Sequence, residues 1–215
     1  MRVIGTIAVT AVMVCGAVAA AAAYASTHSS AAPAHHQSMQ MPMGMDMSSA
    51  ATTASLPASQ LAKARIATAK YANDLNAAKA GGYSILTQKI PGMGYHFINP
   101  SIKGFNVRKP PILVYERHGN RWQLGALEWV FPKQPAKAPI QGAKYGAFGA
   151  ACHYVDGTFV FNQSQDACAP KSPQTGAKFN FWHPPLVTLH VWLWYPNPAG
   201  LFAGTNPLVT PFDRG

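Results

Sequence analysis

Acidic residues are scarce in this chain of 215 residues, which carries 7 Asp and Glu against 17 Lys and Arg and a formal net charge of +10. The basic residues are scattered and form no run interleaved with aromatic residues, so a nucleic-acid-binding surface is not indicated. The sequence also lacks a Gly-x-Ser-x-Gly elbow, a Walker loop and a dinucleotide-binding fingerprint. Nucleophilic hydrolysis and phosphoryl transfer are therefore not the expected chemistries.

Charge is almost absent from the first 25 residues. Met1-Arg2 precedes an apolar run over Val3–Ala23, and Ala23-Tyr24-Ala25 provides a small-x-small cleavage motif. This pattern is typical of a signal peptide. A retained membrane anchor is the alternative, because the run is long enough to span a bilayer. We expect cleavage after Ala25, which predicts an exported protein, periplasmic or extracellular, with no stable membrane span.

Cysteine is rare, with three in the chain. Cys15 lies within the predicted signal peptide, and Val14 precedes it where a lipoprotein motif needs a small residue. Cys152 and Cys168 remain after cleavage, and an even number of cysteines in an oxidising compartment predicts one disulfide. Two free thiols, or two ligands for a soft metal, are the alternative.

Aromatic residues are missing from residues 26–56, which are rich in Ala, Ser, Thr, Met and His. This composition predicts a disordered tether that precedes a single globular domain over residues 57–215. Five methionines alternate with other residues in the tether, and two histidines precede them: Met39, Met41, Met43, Met45 and Met47, with His35 and His36.

Thioether sulfur suits Cu(I) and matches Zn²⁺ poorly, whereas imidazole can bind Cu(II). The tether is therefore predicted to bind copper. A low-complexity linker whose methionines are inert, or scavenge oxidants, is the alternative.

The remaining chain has the periodicity of one helix followed by short strands. Abundant Ala, with Gly81-Gly82 as a stop signal, predicts a helix over about Ala58–Ala80. Strands are predicted at Tyr95–Ile98, Ile112–Glu116, Trp122–Phe131, Phe148–Tyr154, Thr158–Phe161 and Leu186–Trp194. The expected fold class is α+β, with one N-terminal helix and a curled antiparallel sheet or partial barrel.

Glutamate occurs only twice, as Glu116 and Glu128, each within an apolar strand. By alternation, Glu116 shares a face with Ile112 and Val114, and Glu128 shares one with Leu124, Ala126 and Val130. A carboxylate on a buried face must be paired, protonated or bound to metal.

Two histidines lie in similar apolar strand settings, His96 and His190. Together with the two glutamates they predict a mononuclear site for Fe, Mn, Zn or Cu(II). The alternative is that each carboxylate accepts hydrogen bonds from an Arg, a Tyr or the backbone, and each histidine is a hydrogen-bonded core residue.

Aromatic residues concentrate near the predicted site strands. His190, Trp192 and Trp194 share one face if their strand is regular. Together with Tyr95 and Tyr115, the two tryptophans are candidates for the wall of a ligand pocket. Ordinary core packing is the alternative.

Several of these motifs together resemble an uncharacterised family of secreted bacterial proteins. They are Pro91-Gly92-Met93-Gly94-Tyr95-His96, Leu113-Val114-Tyr115-Glu116, Ala126-Leu127-Glu128-Trp129, Leu189-His190-Val191-Trp192-Leu193-Trp194 and Asn197-Pro198-x-Gly200. The similarity covers about residues 60–212 and includes all four predicted ligands of the domain. It implies export and a single domain, and it implies no particular activity.

The sequence as a whole predicts an exported metal-binding protein that handles copper through its tether. The domain is expected to hold a metal ion or small ligand at His96, Glu116, Glu128 and His190. A metal-dependent enzyme of the oxygenase or isomerase type, and a structural or interaction domain without metal, are the alternatives. The sequence does not indicate an oligomeric state.

Overall fold

The computed structural model describes residues 47–211, and it describes side chains from residue 58 onward. The predicted signal peptide and most of the predicted tether lie outside these residues. The described chain contains the helices α1 (Met47–Thr68) and α2 (Leu75–Ala80) and the strands β1 (Ser84–Ile90), β2 (Gly94–Ile98), β3 (Ile112–His118), β4 (Arg121–Phe131), β5 (Gly146–Phe148), β6 (Ala151–Tyr154), β7 (Phe159–Phe161), β8 (Phe179–His183) and β9 (Leu186–Val191).

The helical region is broken rather than continuous. The predicted helix over Ala58–Ala80 begins earlier, at Met47, and its regular α-helical part ends at Thr68. A short 3-10 turn follows, and the Asp74 side chain then caps α2 by accepting a hydrogen bond from the Ala77 backbone N–H. Asp favours such caps because its carboxylate competes with the helical ladder for backbone donors. Within residues 47–211, neither helix combines the length and apolar character needed to cross a bilayer.

Six strands form an antiparallel sheet in the order β1-β2-β3-β4-β9-β5, curled into a half-barrel. The three others form a second antiparallel sheet in the order β7-β6-β8. The predicted α+β class with a curled antiparallel sheet is confirmed. The predicted strand over Phe148–Tyr154 is two strands, because the chain leaves the first sheet after Phe148 and enters the second at Ala151.

A β-bulge near Gly125 changes which side chains of β4 share a face. Val114 pairs with Ala126, but the next residue of β3, Tyr115, pairs with Leu124. The extra residue turns Leu124 to the helix-covered face, whereas Ala126 packs on the opposite face. The prediction that Leu124 shares a face with Glu128 is therefore corrected.

The two faces of the six-stranded sheet are covered by different elements. The helices pack on one face, where Tyr71, Leu75 and Ala78 meet strand residues such as Leu113 and Leu127. The three-stranded sheet contacts the six-stranded sheet at β1, which is an edge strand of the six-stranded sheet. There the Gln88 backbone N–H donates to the Gly157 carbonyl at 2.7 Å. The second face thus becomes an interior surface, and His96 and Glu128 lie on it.

The predicted disulfide is confirmed, and it belongs to the three-stranded sheet. The Cys152 and Cys168 sulfurs are 2.01 Å apart, with Cα atoms separated by 5.7 Å. Cys152 lies in the buried strand β6, next to His153. The bond therefore ties the centre of the smaller sheet to the loop that follows β7.

Reduction of this disulfide should destabilise the domain. For cysteines 16 residues apart, the loss of chain constraint costs about 3 kcal/mol, which lowers Tm by about 6–12 °C for a protein of this size. Calorimetry with and without reductant measures the change, and a Cys152→Ala/Cys168→Ala variant should lose the response to reductant. Two freely alkylated thiols in protein kept in air would contradict the prediction.

Candidate functional site

A cavity of about 390 Å³ lies between the two sheets. Its wall is mostly apolar and includes Leu86, Ile98, Ile112, Val130, Phe148 and Phe181. Four side chains that can bind metal or protons interrupt this wall, namely His96, Glu128, His153 and His183. Apolar cavities of this size with a few convergent polar groups are typical of ligand-binding sites.

A larger cleft of about 760 Å³ lies between the start of α2 and the β3–β4 hairpin. Amide and cationic side chains line most of it, including Asn73, Asn76, Lys79 and Arg121. His118 is the one histidine on its described wall. The candidate site is placed in the smaller cavity because four of the five described histidines lie in or beside it.

Two of the predicted ligands meet in the cavity. His96 Nε2 lies 3.5 Å from Glu128 Oε2, and both side chains are almost fully buried. On its far side, His96 Nδ1 is 2.9 Å from the Thr87 hydroxyl oxygen. Thr188, on the neighbouring strand β9, hydrogen-bonds the Glu128 carboxyl group. Threonine hydroxyls therefore brace both members of the pair.

The other two predicted ligands lie outside the cavity wall. His190 pairs across the strands with Glu128, and its ring centroid is 6.2 Å from that of His96 and 4.9 Å from that of Trp192. Glu116 is buried farther along β3, where its carboxyl group lies against Gly94. The structure thus brings His96 and Glu128 together, places His190 beside them but off the cavity wall, and keeps Glu116 apart.

Two histidines outside the predicted ligand set form a close nitrogen pair on the cavity wall. His153 Nε2 and His183 Nε2 are 3.1 Å apart. His153 Nδ1 is 3.1 Å from the Leu86 carbonyl oxygen, and His183 Nδ1 is 2.7 Å from that of Pro184. His153 was detectable, because it lies in a short apolar run with the same character as those around His96 and His190.

Hydrogen bonding fixes the tautomer of both rings in this pair. A carbonyl oxygen can only accept, so each Nδ1 must carry the proton and donate it. In the neutral rings, each Nε2 therefore presents a lone pair, and the two lone pairs point toward a shared region. Metal-ligating histidines are oriented in the same way, with the second ring nitrogen donating to a carbonyl.

Burial favours the neutral forms of four titratable groups at or beside the cavity, namely His96, His153, His190 and Glu128. Removal from water lowers the pKa of His96 and of His153 to about 4, and that of His190 to about 3. The same loss of water raises the pKa of Glu128 to about 7. At neutral pH these three imidazoles are therefore uncharged, which is the form that binds metal ions.

The expected four-ligand cluster is not formed. Within the described part of the chain, no three His, Cys, Asp or Glu side chains converge closely enough to hold one ion. The physical reason is the register of the strands. Glu128 pairs with Ile112, whereas Glu116 lies four residues farther along β3, opposite Gln123. The cavity instead contains two separate pairs, His96–Glu128 on the larger sheet and His153–His183 on the smaller one.

The predicted aromatic wall is also corrected. The four residues predicted for this wall all lie in the part of the chain that the structure describes. None of them lines the cavity: Tyr95, Tyr115, Trp192 and Trp194. Tyr95 and Tyr115 point to the helix-covered face, as strand alternation requires. Strand β9 ends at Val191, so Trp194 leaves the face of His190, and its ring N–H donates to the Thr68 hydroxyl. The cavity's aromatic wall is formed by Phe148 and Phe181.

The tether residues His35, His36, Met39, Met41, Met43 and Met45 lie outside the described residues, and only the backbone of Met47 is described, as the first residue of α1. Copper binding by the tether therefore stays a prediction. No protein-family model, no curated protein and no solved structure matches this chain. The resemblance to a family of secreted bacterial proteins likewise stays a prediction.

The pKa shifts predict a stability that falls in mild acid. Between about pH 6.5 and 4.5, unfolding lets His96, His153 and His190 take up protons that the native state excludes, while Glu128 releases one. The net uptake is about two protons, so the free energy of unfolding should fall by about 2–3 kcal/mol per pH unit in this range.

Urea denaturation of chelator-treated protein at several pH values measures this slope. Glu128→Gln should make the slope steeper, because the opposing proton release is lost, and His190→Asn should make it shallower. A free energy of unfolding that stays constant over this range would contradict the assignment of neutral buried histidines.

Proposed function

We propose that this chain is an exported metal-binding protein whose folded domain binds a late transition-metal ion, Cu²⁺ most tightly, through His153 and His183. The observation that carries the proposal is the 3.1 Å separation of their Nε2 atoms while both Nδ1 atoms face carbonyl oxygens. Export is proposed from the signal peptide pattern over residues 1–25.

Electrostatics support a cation between the two rings. Two nitrogen lone pairs at this distance repel unless a proton or a metal ion lies between them. A shared proton is disfavoured, because burial, followed by the neighbouring His183, lowers the pKa of His153 to about 4. A metal ion needs no protonated ring, and neutral imidazole is the form it binds.

The geometry also suits a metal ion. Imidazole nitrogen lies about 2.0–2.1 Å from Zn²⁺. An ion at that distance from both Nε2 atoms, which are 3.1 Å apart, would subtend an angle of about 100° between them. This angle lies between those of regular octahedral and tetrahedral coordination. Imidazole suits Cu²⁺, Zn²⁺ and Ni²⁺, and among divalent ions of this series Cu²⁺ binds most tightly.

Aromatic packing holds the two imidazoles in place. The ring of His153 stacks on that of Phe181 with centroids 4.9 Å apart and an interplanar angle of 10°. Phe148 packs near both histidine rings, with its ring centroid 6.3 Å from that of His153 and 5.7 Å from that of His183. Rigid rings lose little freedom on binding, and this preorganisation favours affinity.

The metal proposal is tested by titrating Cu²⁺ into the chelator-treated mature protein. The tether histidines are first replaced by alanine (His28, His35 and His36), so that binding reports the domain. One equivalent should bind, and electron paramagnetic resonance should show coupling to imidazole nitrogen. His153→Ala or His183→Ala should weaken binding at least about 100-fold, since loss of a ligand's outer partner alone costs about 10–100-fold.

His118→Ala is the matched control, because His118 lies on the wall of the other cleft and its replacement should leave the affinity unchanged. Equal affinities of the parent and the His153→Ala/His183→Ala variant, each with its near-ultraviolet circular dichroism intact, would overturn the proposed site.

Copper handling by the tether is the second part of the proposal. Five thioethers alternate over residues 39–47, and soft thioether sulfur favours Cu(I) over Zn²⁺. A peptide covering residues 28–50 should bind Cu(I) and show little affinity for Zn²⁺. Replacing all five methionines with leucine should abolish the binding. If the leucine peptide binds Cu(I) as tightly as the parent peptide, the tether is only a linker.

A metal-dependent enzyme is the second candidate function. Two imidazoles fill only part of a metal ion's coordination shell, and catalytic metals keep a position open for water or substrate. His183 and His153 lie on the wall of the apolar cavity, so an open position there would face a space that admits a small molecule. The oxygenase or isomerase type, which the sequence offers as an alternative, belongs to this second candidate.

A further inference from the structure

We infer that the cavity binds a small neutral phenol or aromatic alcohol, whose hydroxyl group bridges His96 and Glu128. The inference concerns the same cavity as the proposed function and names a class of ligand for it. It depends on the His96–Glu128 pair, and it does not require an ion at His153 and His183.

The facing atoms of this pair leave a gap that a ligand atom can use. His96 Nε2 and Glu128 Oε2 are 3.5 Å apart, which is beyond the usual range of a hydrogen bond between nitrogen and oxygen. Thr87 contacts the far nitrogen of His96, and Thr188 hydrogen-bonds Glu128. Both groups are therefore fixed from behind, while both also line the cavity.

A hydroxyl group matches this gap in either protonation state of the pair. It can donate to one member and accept from the other, whichever of the two carries the proton. An oxygen about 2.8 Å from both atoms lies to one side of the line joining them. Because both residues line the cavity, the hydroxyl oxygen of a ligand in the cavity would occupy the side that faces the cavity. A carbonyl group can only accept, so it would satisfy only one member.

Charge excludes other ligand classes. A carboxylate would place a second acid beside the buried Glu128, and like charges at short range repel. An ammonium group would have to lose its water in a mostly aliphatic cavity, which is costly for an ion. A neutral hydroxyl group avoids both penalties.

The cavity wall favours an aromatic body for this ligand. Phe148 and Phe181 lie on the wall beside aliphatic residues of the larger sheet, such as Ile98 and Val130. Aromatic pairs gain from edge-to-face and offset contacts beyond the burial of apolar area. The wall residues Gly204 and Thr205 are exposed, and they mark the rim of the cavity at which a ligand can enter.

Binding of 4-ethylphenol to chelator-treated mature protein tests the inference, with 4-ethyltoluene and 4-ethylbenzoate as matched probes. Saturation-transfer NMR and calorimetry should detect the phenol, with an affinity about tenfold or more above that of the hydrocarbon, as expected for two hydrogen bonds. The benzoate should bind more weakly than the phenol. Equal binding of phenol and hydrocarbon, or no binding of the phenol, would overturn the inference.

Variants separate recognition of the hydroxyl group from simple filling of the cavity. Glu128→Leu should remove the preference for the phenol over the hydrocarbon, whereas Thr205→Trp at the rim should weaken the binding of both probes. His96→Phe provides a second route to the same loss if Glu128→Leu does not fold, as judged by near-ultraviolet circular dichroism. A preference that survives in a folded Glu128→Leu or His96→Phe protein would also overturn the inference.

The His153→Ala/His183→Ala variant distinguishes this inference from the metal proposal. It should still bind 4-ethylphenol in the absence of metal, because His96 and Glu128 are unchanged. In the parent protein, failure of copper binding with retained phenol binding would reject only the metal site, and the reverse result would reject only the hydroxyl site.

Discussion

The cavity depends on the contact between strand β1 and the three-stranded sheet. The Leu86 carbonyl accepts from His153, and the Gln88 backbone N–H donates to the Gly157 carbonyl. Gly157 makes this approach possible, because its φ is +84° and a Cβ there would lie 2.6 Å from Ile85. The same contact encloses the second face of the larger sheet and fixes the tautomer of His153. It therefore sets both the volume of the cavity and part of its chemistry.

Enclosure by two sheets also determines the charge state of the cavity. Groups removed from water favour their neutral forms, which lowers the pKa of His96 and raises that of Glu128. A neutral imidazole is a metal ligand, whereas a protonated one is not. A carboxyl group and an imidazole that share one proton can also bridge a hydroxyl group. Desolvation thus prepares the pair for neutral ligands.

Local periodicity was sufficient to predict the fold class, and the even number of cysteines left after cleavage predicted the disulfide. His96 and Glu128 were selected for their apolar strand settings, but the spacing did not show that they would meet. Local periodicity failed where the decisive contact is distant in sequence. The bulge that turns Leu124 away from Glu128 occurs at Gly125, where a Cβ would lie 3.3 Å from the ring of Trp192, a residue distant in sequence. His183 was missed because its partner His153 is 30 residues away and the pair forms only when β6 and β8 align.

The two polar pairs belong to different sheets, and this separation governs how they can act. His96 and Glu128 are carried by β2 and β4, whereas His153 and His183 are carried by β6 and β8. An ion held by the second pair needs only the smaller sheet to be rigid. The disulfide at Cys152 restrains that sheet next to His153, and a restrained pair loses less conformational freedom when it binds. A molecule that contacts both pairs, by contrast, must also fix the spacing of the two sheets. Binding of such a molecule would therefore stabilise the contact between the two sheets at β1. Ligand binding and the packing of the two sheets would then stabilise each other.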